Sequence, residues 1–234
     1  MVNTPQLSDD LGPVAVIDGS PPLWELTATI NAVCDEVEER QERSVVVLQL
    51  AHVPRREWPD ADSIQEVNRW ERAVRRFERL SAVTIAVARG TCGGPALDVL
   101  LAADWRIGTP DLVLMLPVND GHFWPGMAAY RLVQQLGLAR ARQIVLWGTD
   151  IPLDRATDLG LIDQVSKDAV EGVREASVLA GRISDREFSI RRQLLLEAGS
   201  AEYEAALGVH LAACDRELRR LRDEALRPAA ENAS

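Results

Sequence analysis

The groups able to move protons in this 234-residue chain gather around residues 98–124. Asp98 lies one turn into an apolar helix that starts near Pro95, and Asn119-Asp120-Gly121 forms a turn that His122 and Trp124 follow. A carboxylate and an imidazole can share general acid and general base roles, and histidine titrates in the useful range. Each residue also has a plainer reading. Asp98 stands where a carboxylate stabilises a helix N-terminus, and Asp120 before Gly121 is ordinary turn chemistry. Trp124 is either an aromatic wall or core, and His122 is either a site residue or surface. Cys92 has no evident base beside it and reads as a small buried residue rather than a nucleophile.

Strands and helices must position these groups. Val83–Ala88 is an apolar, β-branched strand that runs into Arg89-Gly90-Thr91-Cys92-Gly93-Gly94 and then into the Pro95–Ala103 helix. A glycine-rich turn opening a helix presents free backbone N–H groups, so Gly93, Gly94 and Ala96 are candidate donors to a ligand oxygen. Upstream, Ser44–Leu50 reads as a buried parallel strand. Ser20-Pro21-Pro22 reads as the start of a helix carrying Leu26, Ile30, Val33 and Val37. A helix over about Ser63–Leu80 buries Val67, Trp70, Val74, Phe77 and Leu80, with its Arg and Glu residues as a solvated face. The Pro-rich, charged stretch before it reads as a loop, and its Arg55 and Arg56 suit phosphate groups. Downstream, Trp105–Ile107 and Leu112–Leu116 are short strands, and Met127–Gln135, Ala139–Trp147 and Asp154–Leu159 are helices. A charged helical stretch runs from about Asp168 to Arg227. The expected architecture is α/β: a core over 1–165, with residues 1–12 a flexible tail, and a helical region over 166–234.

The formal net charge of −10 argues against nucleic acid or an anionic membrane as partner, though a local arginine pocket could still take a small anion. No apolar run is long enough to span a bilayer, and the N-terminus lacks a signal-peptide pattern, so the expected location is the cytoplasm. Three scattered cysteines and three isolated histidines predict neither a disulfide framework nor a metal site. The two common glycine-rich nucleotide cradles are absent.

Residues 83–165 resemble the crotonase (enoyl-CoA hydratase/isomerase) family. The strand ends at Arg89-Gly90, where the family has Asn-Gly. Ala103-Asp104-Trp105-Arg106-Ile107 stands where it often has Cys-Asp-Ile-Arg-Ile. Pro117 matches its Pro-Glu turn, and Pro125-Gly126 its Pro-Gly turn. Leu146-Trp147-Gly148 and Asp154 to Val165 match its Thr-Gly, Ala and Gly-Leu segment. The resemblance implies a spiral of ββα units with a helical C-terminal region that forms trimers or hexamers. It implies an acyl-CoA thioester as substrate, with no covalently bound cofactor and coenzyme A entering as part of the substrate. In such enzymes two backbone N–H groups hold the thioester oxygen, a class of interaction worth about 3 kcal/mol per donor.

Four departures from the family pattern bear on mechanism. Gly94-Pro95-Ala96 replaces three glycines, and Pro95 has no N–H to donate. Either Gly94 or Ala96 takes over, or that half of the oxyanion hole is altered. Asp98 replaces a catalytic Glu with a shorter carboxylate. Val118 stands at the second catalytic Glu, so chemistry falls to Asp98 with some of Asn119, Asp120, His122 and Trp124. The first oxyanion loop is replaced by Ala51–Asp60, with Arg55 and Arg56 placed to meet CoA phosphates.

This set of departures is similar to the crotonase homologues of 3,5-dihydroxyphenylglycine biosynthesis in glycopeptide-antibiotic gene clusters. That resemblance implies a dehydratase/hydratase acting on a polyketide-derived CoA thioester. It also implies a type III polyketide synthase and a paralogous crotonase as partners. On this reading Asp98, His122 and Asp120 are the catalytic candidates, with Val118, Asn119 and Trp124 around the acyl group. The alternatives are a catalytically weak acyl-CoA-binding partner and a structural subunit of a mixed crotonase complex.

Overall fold

The computed structural model describes residues 14–40, 45–50, 63–119, 121–124, 126–199 and 202–231. In chain order the elements are β1 (Val14–Ile17), α1 (Leu23–Glu39), β2 (Val45–Leu50), α2 (Ile64–Glu78), β3 (Val83–Ala88), β4 (Thr91–Gly93) and α3 (Pro95–Ala102). There follow β5 (Trp105–Gly108), β6 (Val113–Met115), β7 (Val118–Asn119), β8 (His122–Phe123), α4 (Ala128–Leu136) and α5 (Leu138–Trp147). The last are β9 (Ile151–Pro152), α6 (Leu153–Asp158), β10 (Gln164–Val165), α7 (Ala169–Ala180), α8 (Asp185–Ala198) and α9 (Tyr203–Glu231).

β-Branched runs form the main sheet, ordered β1-β2-β3-β5-β10 with every pairing parallel. β3 is buried along its whole length, as a parallel sheet covered on both faces requires. A smaller sheet, β4-β6-β9, pairs β4 with β6 in parallel and β6 with β9 antiparallel. β7 and β8 make a separate antiparallel hairpin.

α1 and α2 pack together, with Leu26, Ile30, Val33 and Val37 buried on one and Trp70, Val74 and Phe77 on the other. Ser63 caps α2 by accepting the Glu66 N–H at 3.3 Å, satisfying one otherwise orphaned donor. Arg76 of α2 bonds Asp35 of α1 at 2.7 Å and also Glu38, tying the two helices at their surface.

α3 is the central helix. All eight of its residues are buried, and it touches α2, α4, β3 and β4. Its exit is pinned to β3: Thr84 donates to Asp104 from its backbone N at 2.9 Å and from Oγ1 at 2.7 Å. The Asp of the family-like Ala-Asp-Trp-Arg-Ile segment is thus a structural clamp. Asp163 plays the same part farther on, accepting the Arg106 N–H at 2.9 Å.

Packing divides the chain into two units after Asp185, and α7 lies on β3 and β5 within the first. The composition boundary near residue 165 falls at the last strand, β10. The second unit holds most of α8 and all of α9. Its surface carries ion pairs one turn apart, such as Arg191–Glu187 at 2.7 Å and Arg219–Asp215 at 2.6 Å. Among the described residues no helix is long and apolar enough to cross a membrane.

Candidate active site

The turn from β4 into α3 is built on Gly94, whose φ of 53° and ψ of −124° suit glycine and strain other residues. Pro95 follows as the first helical residue, where its missing N–H costs no helical bond. Asp98 N–H then bonds Gly94 C=O at 3.0 Å. Ala96 and Leu97 are therefore the first-turn residues that keep an N–H and have no helical carbonyl one turn back. Gly93 ends β4, paired with Met115 of β6.

Asp98 is 5% exposed and the one charged side chain of α3. Trp70 of α2 donates its indole N–H to Asp98 Oδ2 at 3.0 Å. Arg131 of α4 donates from Nη1 to Asp98 Oδ1 at 3.4 Å. The same guanidinium reaches Glu71 Oε2 from Nη1 at 3.3 Å and from Nη2 at 3.2 Å. Glu71 Oε1 accepts the Met127 N–H at 3.2 Å. Two carboxylates thus share one buried arginine, and the cluster joins α2, α3 and the entry of α4. Burial pushes the Asp98 carboxyl up to about 7 and the Glu71 charge adds to it, against the pull of Arg131 and the Trp70 N–H.

Trp124 belongs to the same neighbourhood. Its backbone N–H bonds Pro117 C=O at 3.1 Å, and its side chain is half-buried against the core. A Cβ at Gly126 would come within 2.7 Å of Trp124 Nε1, so any larger residue there would have to displace the indole. The hairpin just before is open: Val118 is 49% exposed, and His122 is exposed with no side-chain hydrogen bond among the described residues. Asn119 pairs with His122 through the backbone. Asp120, Arg55 and Arg56 lie outside the described residues, with the whole of 51–62. Cys92 is buried and its thiol is pushed up to about 12 by burial, which leaves it unreactive.

Three residues of the cluster escaped sequence reasoning. Trp70 reads as core and Glu71 as solvated face. Arg131 lies within a helix of ordinary composition, yet it falls on the buried stripe of Ala128 and Leu132. A charged residue on an apolar helical stripe was the signal, because such a charge needs a buried partner.

The enoyl-CoA hydratase/isomerase family model matches residues 58–219, more than half of the chain and all of this cluster. The chain belongs to the enoyl-CoA hydratase/isomerase family. A relative from Amycolatopsis orientalis described as an enoyl-CoA-hydratase is 47% identical over 205 residues, covering 87% of this chain and 94% of that one. Solved structures share the crotonase fold at low identity. An enoyl-CoA hydratase from Bacillus anthracis superposes with a TM-score of 0.73 at 19% identity, over 86% of this chain and 84% of its own. An enoyl-CoA hydratase/isomerase from Marinobacter aquaeolei gives 0.71 at 18%, over 89% of each. A Thermobifida fusca protein solved in complex with CoA gives 0.72 at 20%, over 91% of this chain and 92% of its own. The mixed α/β fold with its parallel sheet is therefore that of the family.

Proposed function

We propose that this chain binds an acyl-CoA thioester and performs hydratase/dehydratase chemistry on a polyketide-derived acyl group. On this reading it works beside a type III polyketide synthase and a paralogous crotonase, toward 3,5-dihydroxyphenylacetyl-CoA for antibiotic biosynthesis. Family membership and the CoA-bound relative of the same fold support the thioester ligand. The observation that carries the chemistry is Asp98, the one carboxyl of the central helix, 5% exposed in its first turn and raised toward neutrality by that burial. A group poised near neutrality can both take and return a proton.

In the proposed step the Asp98 carboxylate takes the α-proton of a β-hydroxyacyl thioester. Negative charge develops on the thioester oxygen, held by the N–H of Ala96 or Leu97. The β-hydroxyl then leaves with the proton returned by Asp98, as one water, and the carboxylate is regenerated. Aromatisation of the product drives the loss of water.

A second reading is favoured by the same cluster. Both Asp98 oxygens already hold partners, Trp70 and Arg131, and Val118 offers no second carboxylate. The chain would then accept the synthase's product without proton transfer of its own. The test feeds malonyl-CoA to a type III polyketide synthase with wild type or Asp98→Asn and reads thioester and acid products by mass spectrometry. Enhancement by wild type alone supports dehydration through Asp98. Equal enhancement supports the accepting partner. No enhancement by either overturns the pathway.

We also propose that the 166–234 region assembles the chain as a trimer or hexamer. The exposed Leu195, Leu211, Leu218 and Leu221 of its helices support this. Light scattering after size exclusion tests it, and a monomer at micromolar concentration would count against it.

A further inference from the structure

Between one face of α2 and the entry of α4 lies a cavity of about 800 Å³. That volume suits a small organic molecule. Ile64, Val67, Met127 and Tyr130 supply apolar wall, and Glu71 and Arg131 also line it. Arg131 is 6% exposed, so it is a buried cation at the edge of an open space. Its contacts to Glu71 and Asp98 run from 3.2 to 3.4 Å, longer than the roughly 2.7–2.9 Å of a tight charge-assisted bond. All of them leave from Nη1 and Nη2, and its Nε has no acceptor among the described residues. A guanidinium offers five N–H donors in a fixed fork. Glu71 meets the guanidinium through Oε2 alone, while its Oε1 takes the Met127 N–H. The cavity therefore borders a charged donor that is incompletely used and one contact from Asp98.

We infer that this cavity receives the acyl group of the thioester, and that Arg131 selects acyl groups bearing hydroxyl or keto oxygens over hydrocarbon groups of the same skeleton. The inference rests on the acyl-CoA reading above and adds to it a specificity residue. An oxygen placed at the fork fills donors that a hydrocarbon leaves idle and desolvated, and the second case is penalised. The apolar wall accepts the carbon skeleton of either.

Calorimetric titration of phenylacetyl-CoA, 3,5-dihydroxyphenylacetyl-CoA and free CoA tests this. The wild type is expected to bind the dihydroxy thioester about tenfold or more tightly than the unsubstituted one. Arg131→Lys keeps a cation for the two carboxylates but loses the fork, so the ratio should fall toward one. Asn68→Trp, at an exposed cavity-lining position one turn before Glu71 and in no contact of the buried cluster, should reduce both thioesters to the affinity of free CoA while circular dichroism stays native. A wild-type ratio near one, an unchanged ratio in Arg131→Lys, or wild-type binding by a folded Asn68→Trp would each overturn the inference. Failure of the wild type to bind any of the three ligands would overturn the acyl-CoA reading itself. Equal binding of the two thioesters would leave that reading standing and remove only the selection by Arg131.

Discussion

Trp70 and Asp98, on two different helices, are joined by an indole N–H to carboxylate bond of 3.0 Å, and both side chains are buried. The bond holds the one charge of α3 against α2. Trp70→Phe keeps most of the ring volume and removes the donor. A buried acceptor that loses its partner costs about 1–3 kcal/mol. Urea denaturation should report a loss of that size, and a loss below about 0.5 kcal/mol would mean that the bond is not held in solution.

Stability should depend on pH through Asp98. Its carboxyl is raised from an ordinary 3.8 to about 7 in the folded chain. Between those values the folded chain keeps a proton that the unfolded chain has released. The associated stability is complete below about pH 4, is lost as pH rises through about 7, and is level beyond. Asp98→Asn has no such proton. The difference in denaturation midpoint between wild type and Asp98→Asn should therefore move against the wild type from pH 5 to pH 8. A flat difference would contradict the buried, shifted carboxyl.

Glu71 raises the Asp98 carboxyl by its negative charge. Glu71→Gln retains an oxygen for the Met127 N–H and leaves Arg131 to Asp98 alone. Asp98 should then ionise at lower pH, and the pH at which stability is lost should move in the acid direction. Movement toward higher pH would show that Arg131 leaves Asp98 when Glu71 is neutral.

Cysteine labelling should be sharply unequal. Cys34 and Cys92 are buried, with thiols pushed up by burial to about 11 and about 12, whereas Cys214 of α9 is exposed. The thiolate is the reactive form. Iodoacetamide at pH 8 should modify Cys214 in the native chain and the other two only after denaturation. Peptide mass spectrometry would read this directly, and early labelling of Cys92 would mean that the β4 region opens.

By itself the sequence determined the longer elements of the core, while the short strands β1, β4 and β7 to β10 and the division of the C-terminal stretch into α7, α8 and α9 came only with the structure. The β-branched runs Val45–Leu50 and Val83–Ala88 are strands, and the stripe of Trp70, Val74 and Phe77 is the buried face of α2. The glycine-rich turn opens α3, and the ordered pieces from Arg89-Gly90 to Val165 are those of the family. These are local properties, set by periodicity, turn chemistry and backbone limits at Gly94 and Pro95. The surroundings of Asp98 are not local. Trp70 lies 28 residues before it and Arg131 33 residues after it. Which charge on α2 and which on α4 turn inward depends on how three helices cross, and the packing of α3 decides that. Tertiary structure alone made Asp98 a carboxyl shared with Trp70 and Arg131, because burial forces a charge to find partners wherever the fold brings them.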